Sequence, residues 1–111
     1  MAFDIITPSQ LGRGAINTSA TVFYTVDNLE RAIVKSIDIA NTNASPVSVT
    51  VYLVPSTSSP AVSNTLLPSV TINGNTIFSW CGAQVLNAGD TIRAVASQTG
   101  ATIHISGGSC V

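Results

Sequence analysis

In Val47-Ser48-Val49-Thr50-Val51-Tyr52-Leu53 the apolar residues fall at every second position. A period of two buries one face of a strand and leaves the other to polar surroundings. Residues 33–40 alternate in their second half, and the phase slips near Val34-Lys35, the mark of a bulge. Residues 41–46 between these runs are rich in turn formers, so the two runs read as antiparallel neighbours across a hairpin-type loop. Residues 21–26 are β-branched and aromatic. Residues 69–72 lead into Asn73-Gly74, the best short hairpin signal, and residues 76–80 return from it. Residues 83–86 form a short strand closed by Asn87-Ala88-Gly89-Asp90. Residues 91–96 and 102–106 form a final pair around Gln98-Thr99-Gly100, and Gly107-Gly108 then releases the tail.

No segment keeps a helical period over the roughly 11 residues that identify a helix. Residues 27–31 have room for one helical turn, and residues 55–64, with two prolines among serines, form an exposed loop. About seven to nine short strands with regular turns define an all-β, single-domain antiparallel β-sandwich, jelly-roll-like. The domain covers residues 1–111, with an N-terminal arm or edge strand at 1–12, the sandwich core at 20–107 and a tail at 108–111. Residues 2–8 are apolar at a chain end that usually frays. They are either an edge strand of their own sheet or an arm that reaches onto a neighbour.

Composition narrows the function. Apolar residues are 45% of the 111 and charged residues only 8%, against about 25% in an ordinary soluble domain. Ser, Thr and Asn fill the gap, and such a surface lacks the usual protection against association. The net charge is −1, and the basic residues Arg13, Arg31, Lys35 and Arg93 are dispersed, so the chain is not read as binding nucleic acid. No apolar run approaches the roughly 18–20 residues of a membrane helix, so no membrane partner is expected. Asp4 stands where a secretory signal has its basic region. Cytosolic assembly is therefore expected, with Cys81 and Cys110 as thiols rather than a disulfide. Cys81, beside Trp80 and Gly82, reads as a core thiol, and Cys110 is penultimate and open to oxidants.

Little in the chain supports catalysis. His104, the only histidine, sits between Ile103 and Ile105 on the opposite face and has no ligand at metal spacing beside it. The acids Asp4, Asp27, Glu30, Asp38 and Asp90 form no facing pair of the kind a glycosidase needs, and Asp27 and Asp90 suit turn capping. Gly12-Arg13-Gly14 is turn-like, without the helix that follows a phosphate loop. No catalytic, metal or cofactor site is assigned, and the chain is read as a non-enzyme. Candidate protein contacts are Phe3, Ile5, Ile6, Trp80 and His104. Trp80 also suits a core position, and Trp80, Tyr24 or Tyr52 would serve an alternative reading in which a surface module stacks on a glycan.

Residues 31–42, Arg-Ala-Ile-Val-Lys-Ser-Ile-Asp-Ile-Ala-Asn-Thr, are followed by the alternating strand at 47–55, then by Val85-Leu86-Asn87-Ala88-Gly89-Asp90-Thr91-Ile92 and by a late Ile103-His104-Ile105-Ser106-Gly107 strand. Over about residues 20–107 this arrangement resembles small β-sandwich virion proteins of tailed bacteriophages, most of all the capsid decoration (cement or staple) proteins of short-tailed phages. The resemblance implies a jelly-roll-like subunit on the outer capsid surface. It also implies the major capsid protein and a second or third copy of the chain, as homodimer or homotrimer, for partners, with no catalytic residue to carry over.

Overall fold

The computed structural model describes residues 6–110. Eight strands follow one another: β1 (Ile6–Ala15), β2 (Thr21–Thr25), β3 (Arg31–Asn41), β4 (Val47–Val54), β5 (Thr65–Ile72), β6 (Ile77–Leu86), β7 (Thr91–Ala96) and β8 (Ala101–Cys110). They form two four-stranded sheets, ordered β1-β8-β3-β6 and β2-β7-β4-β5. Every pairing is antiparallel. First pairs with last, second with seventh, third with sixth and fourth with fifth. The chain is thus one long antiparallel hairpin rolled over on itself, with β3–β8 and β4–β7 contacts closing each sheet. This is an all-β jelly-roll sandwich.

The alternation sets which faces meet. Val34, Ile37, Ile39, Ile103 and Ile105 point inward from the first sheet, and Val49, Val51, Ile92 and Ala94 from the second, all without solvent exposure. Fully burying one such Ile or Val is worth about 1.5–3 kcal/mol relative to leaving it exposed. The slip expected near Val34-Lys35 is present, since β3 shifts register between Val34 and Ser36 against both β6 and β8. It lets both Val34 and Ile37 reach the core, although an unbroken strand would put them on opposite faces.

Chain reversals occur where the turn residues stand, but the strands they join are not neighbours. β3 and β4 lie in different sheets, as do β5 and β6, and β7 and β8. None of the three expected hairpins forms, and each turn crosses the mouth of the sandwich instead. The one consecutive pair that does hydrogen-bond, β4 and β5, is joined by the exposed 55–64 segment, which ends in a single 3-10 turn, Val62–Asn64. Residues 27–30 form a tight turn, with Leu29 at φ 66° rather than helical. Gly12-Arg13-Gly14 lies within β1 and makes no turn. The two segments expected at 76–80 and 83–86 are a single strand, β6, that runs through Gly82. Gly107-Gly108 does not release a tail at 108–111, because β8 continues to Cys110. A Cβ on Gly107 would lie 1.8 Å from the Ile33 carbonyl oxygen, so this glycine lets β8 pass close to β3. Residues 6–15 form an edge strand of their own sheet, paired with β8, and residues 1–5 of the arm lie outside the described residues.

One mouth of the sandwich is tied by Asn41, a buried polar residue. Its side-chain amide donates to the carbonyls of Ser45 (2.9 Å), Ile72 (3.0 Å) and Asn73 (3.3 Å), while its Oδ1 accepts from the Asn43 backbone N–H (2.9 Å). Asn43 in turn donates to the Thr99 carbonyl, and the Thr42 hydroxyl donates to that of Gly100 (2.7 Å). The three crossing loops are thereby stitched together. Gly74 packs so tightly in this mouth that a Cβ would lie 2.1 Å from the Ala44 carbonyl oxygen. At the other mouth Asp90 caps, accepting from the backbone N–H groups of Ser56 and Asn87, both at 2.9 Å.

Asn41→Leu keeps the volume but leaves several loop carbonyls without a donor. A buried unsatisfied group costs about 1–3 kcal/mol, and about 1 kcal/mol moves the melting temperature of a domain this size by roughly 4–8 °C. The variant is expected to melt at least about 10 °C below wild type, and a change within about 2 °C would show that the loops hold without it.

Candidate interaction surfaces

The outer face of the first sheet can be read row by row from the strand register. One row runs Ala15, Thr102, Ala40, Ile77 across β1, β8, β3 and β6. The next is Arg13, His104, Asp38, Ser79, and the next Gln10, Ser106, Ser36, Cys81. Of these three rows one is charged, and in it half-buried His104 lies between a guanidinium and a carboxylate; further along β3, Arg31 and Lys35 are exposed as well. That placement was not legible beforehand, because Arg13, Asp38 and His104 come from three distant parts of the chain. On β6, Ile77 and Val85 are exposed on this face at 61% and 60%.

The other predicted contact residues separate. Trp80 pairs with Ile37 on the inner side of β6, packs against the core and lies over Gly82. Ile6 begins β1 opposite Cys110. Phe3 and Ile5 lie outside the described residues. Of the glycan-stacking candidates, Tyr24 joins Trp80 against the core. Tyr52 is half-buried on the outer face of the second sheet, where it stands beside Arg93 and Thr65.

Cys81 is exposed, a correction to its reading as a core thiol. Trp80 takes the inward position, and strand alternation then turns Cys81 outward. An intrachain bridge to Cys110 is ruled out by register. Cys81 faces Ser36 and Cys110 faces Arg31 along the same strand. That separation is roughly 16 Å at the strand rise, well beyond the ~7 Å Cα limit for a disulfide.

Asp27 and Glu30 are brought together in the β2–β3 turn. A hydrogen bond between the two side chains, with burial and like-charge repulsion, raises the Glu30 carboxyl above its ordinary range. Burial, then these two carboxylates, raises the Tyr24 phenol. Three shallow surface grooves have volumes of about 440, 270 and 480 Å³, and no acid or histidine lines any of them. Among the described residues no three His, Cys, Asp or Glu side chains cluster as metal ligands.

No family model matches the chain, and no curated protein matches it in sequence. Among solved structures the chain is similar to one described as "Bacillus endospore appendages form a novel family of disulfide-linked pili". The identity is 16%, with 100% of this chain and 94% of that chain covered and a TM-score of 0.49. A likeness that loose carries no argument about function.

Without reductant, the unfolded protein is expected to titrate two thiols per chain, and a count of zero would mean that a bridge forms despite the register. The Asp27–Glu30 pair has a definite pH signature. Because the folded Glu30 value lies above the unfolded one, its contribution is complete at low pH and is lost as pH rises through the raised value. Wild type should therefore lose melting temperature across the weakly acidic range relative to Glu30→Gln. Parallel pH profiles would show the pair to be uncoupled from folding.

Proposed function

We propose that the chain is a structural subunit that decorates a bacteriophage capsid and stabilises it by binding across the boundaries between shell subunits. The observation that carries this reading is the outer face of the first sheet. Two of its rows contain only Ser, Thr, Ala, Gln, Cys and Ile, so the face offers hydrogen-bonding hydroxyls and small apolar groups with little charge to desolvate. Protein interfaces are depleted of Lys, Glu and Asp for the same reason. The jelly roll is a common architecture among viral coat domains, and the sequence resemblance to phage decoration proteins points the same way. Glycan recognition draws less support, because Trp80 and Tyr24 pack against the core.

The mechanism is linkage. A protein that binds the closed lattice, and not its dissociated parts, stabilises the lattice by RT ln(1 + [L]/Kd), about 2.7 kcal/mol per site at a hundredfold excess over Kd. No proton transfer or covalent step is required. Heads of the phage whose genome carries the gene, mixed with purified protein, are expected to bind it saturably and to release DNA at a higher temperature. Heads that neither bind it nor gain stability would contradict the proposal. Specific glycan binding lost in Tyr52→Ala, with the fold intact, would replace it by the alternative.

A further inference from the structure

An open sheet edge is a row of unpaired backbone N–H and C=O groups, and stable proteins blunt such edges. The sandwich has four: β1 and β6 flank one sheet, β2 and β5 the other. All four slip register somewhere, but three of them also contain a proline or are cut short. β1 contains Pro8, slips register between Gln10 and Gly12, and has Phe23 of β2 against Gly12 and Gly14. β2 is only five residues long and slips between Val22 and Tyr24. β5 contains Pro68 and slips twice against β4. β6 differs from all three. It runs for ten residues with no proline and no charged side chain. Its one slip, opposite Val34 and Ser36, leaves Ile77, Ser79, Cys81 and Val85 on the same outer face.

We infer that two copies of the chain pair antiparallel through β6, joining their first sheets into one continuous sheet across a two-fold axis. The occupant follows from the edges. Each copy presents, among its described strands, one long edge free of proline and of charge, so the edge that fits β6 is β6 of a second copy, and such a contact closes on itself. The charge pattern agrees, since no charged side chain lies between Ile77 and Leu86 and the copies meet without like-charge repulsion. The side chains also match. In the register centred on Cys81, Ile77 of each copy faces Val85 of the other. Both are exposed in the single chain, at 61% and 60%. Shifting the register by two positions in either direction breaks both contacts. An overlap of this length makes about ten inter-strand hydrogen bonds, the number a typical interface carries. The inference rests on edge geometry and not on the capsid reading.

The register places the two Cys81 residues directly opposite each other, with Cα atoms about 4.5–5.5 Å apart, inside the span that a disulfide bridges. Added Cu(II)–phenanthroline therefore serves as a trap: two Cu(II) ions each take one electron and become Cu(I), two thiol protons leave to solvent, and the S–S bond forms. The test uses protein carrying Cys110→Ser. Sedimentation over a wide concentration range is expected to reach twice the 11.4 kDa chain mass, and the oxidant to yield a covalent dimer. Cys81→Lys sets two ammonium groups face to face and is expected to sediment as a folded monomer by circular dichroism. Val85→Lys, which breaks the Ile77 contact, should do the same, and it replaces Cys81→Lys should that variant not fold. A protein that is monomeric throughout, a dimer that survives both lysines, or a dimer that the oxidant does not trap would each overturn the inference. Phage-head binding is scored separately. A monomer that still decorates heads would overturn the dimer alone, and a dimer that ignores heads would overturn the capsid proposal alone.

Discussion

The fold depends most on one buried amide. Asn41 ends β3 at the point where the chain leaves one sheet for the other, and its side chain holds carbonyls of its own loop and of the β5–β6 loop. A jelly roll pairs its first strand with its last, so most of its contacts join distant parts of the chain. Closing those long loops costs entropy before any contact repays it. A residue that donates to Ser45 in its own loop and to Ile72 and Asn73 in another ties two crossing loops for the burial of one polar group. Asp90 does related work at the opposite mouth with charge-assisted bonds to Ser56 and Asn87. Between these two ties, the rest of the chain has only to alternate.

That division explains what could be read from the residues alone. The period of two located most of the strands, and the phase slip at Val34-Lys35 located the bulge, because both are local consequences of which side chains are apolar. Partner choice was not local. Asn73-Gly74 marks a reversal, yet β5 and β6 part into different sheets there. Turn chemistry records where the backbone bends and carries no information about the strand it returns to. Gly82 and Gly107-Gly108 misled for a related reason. Glycine marks either a break or a close approach, and only the packing of Ile33 against Gly107 and of Trp80 over Gly82 tells which. Cys81 was misplaced because Trp80 already held the inward position beside it.

The make-up of the surfaces was legible and their places were not. Scarcity of charge was the ground for expecting a chain that lies against other proteins. The rows through Thr102, Ala40 and Ile77, or Ser106, Ser36 and Cys81, exist only after four separated strands are laid side by side. The same assembly sets Arg13 and Asp38 on either side of His104. Two sheet edges carry a proline and a third is short, while β6 is long with neither, and the proposed pairing rests on that asymmetry.

The central proposal is that this protein buries the uncharged rows of its first sheet and the β6 edge against other polypeptides. Hydrogen exchange measures that claim most directly, by comparing the dilute chain with the chain bound to phage heads. The amides of β6 are expected to slow on association, while those of the 55–64 loop exchange as before. Protection confined to the loops and grooves, with β6 unchanged, would contradict it.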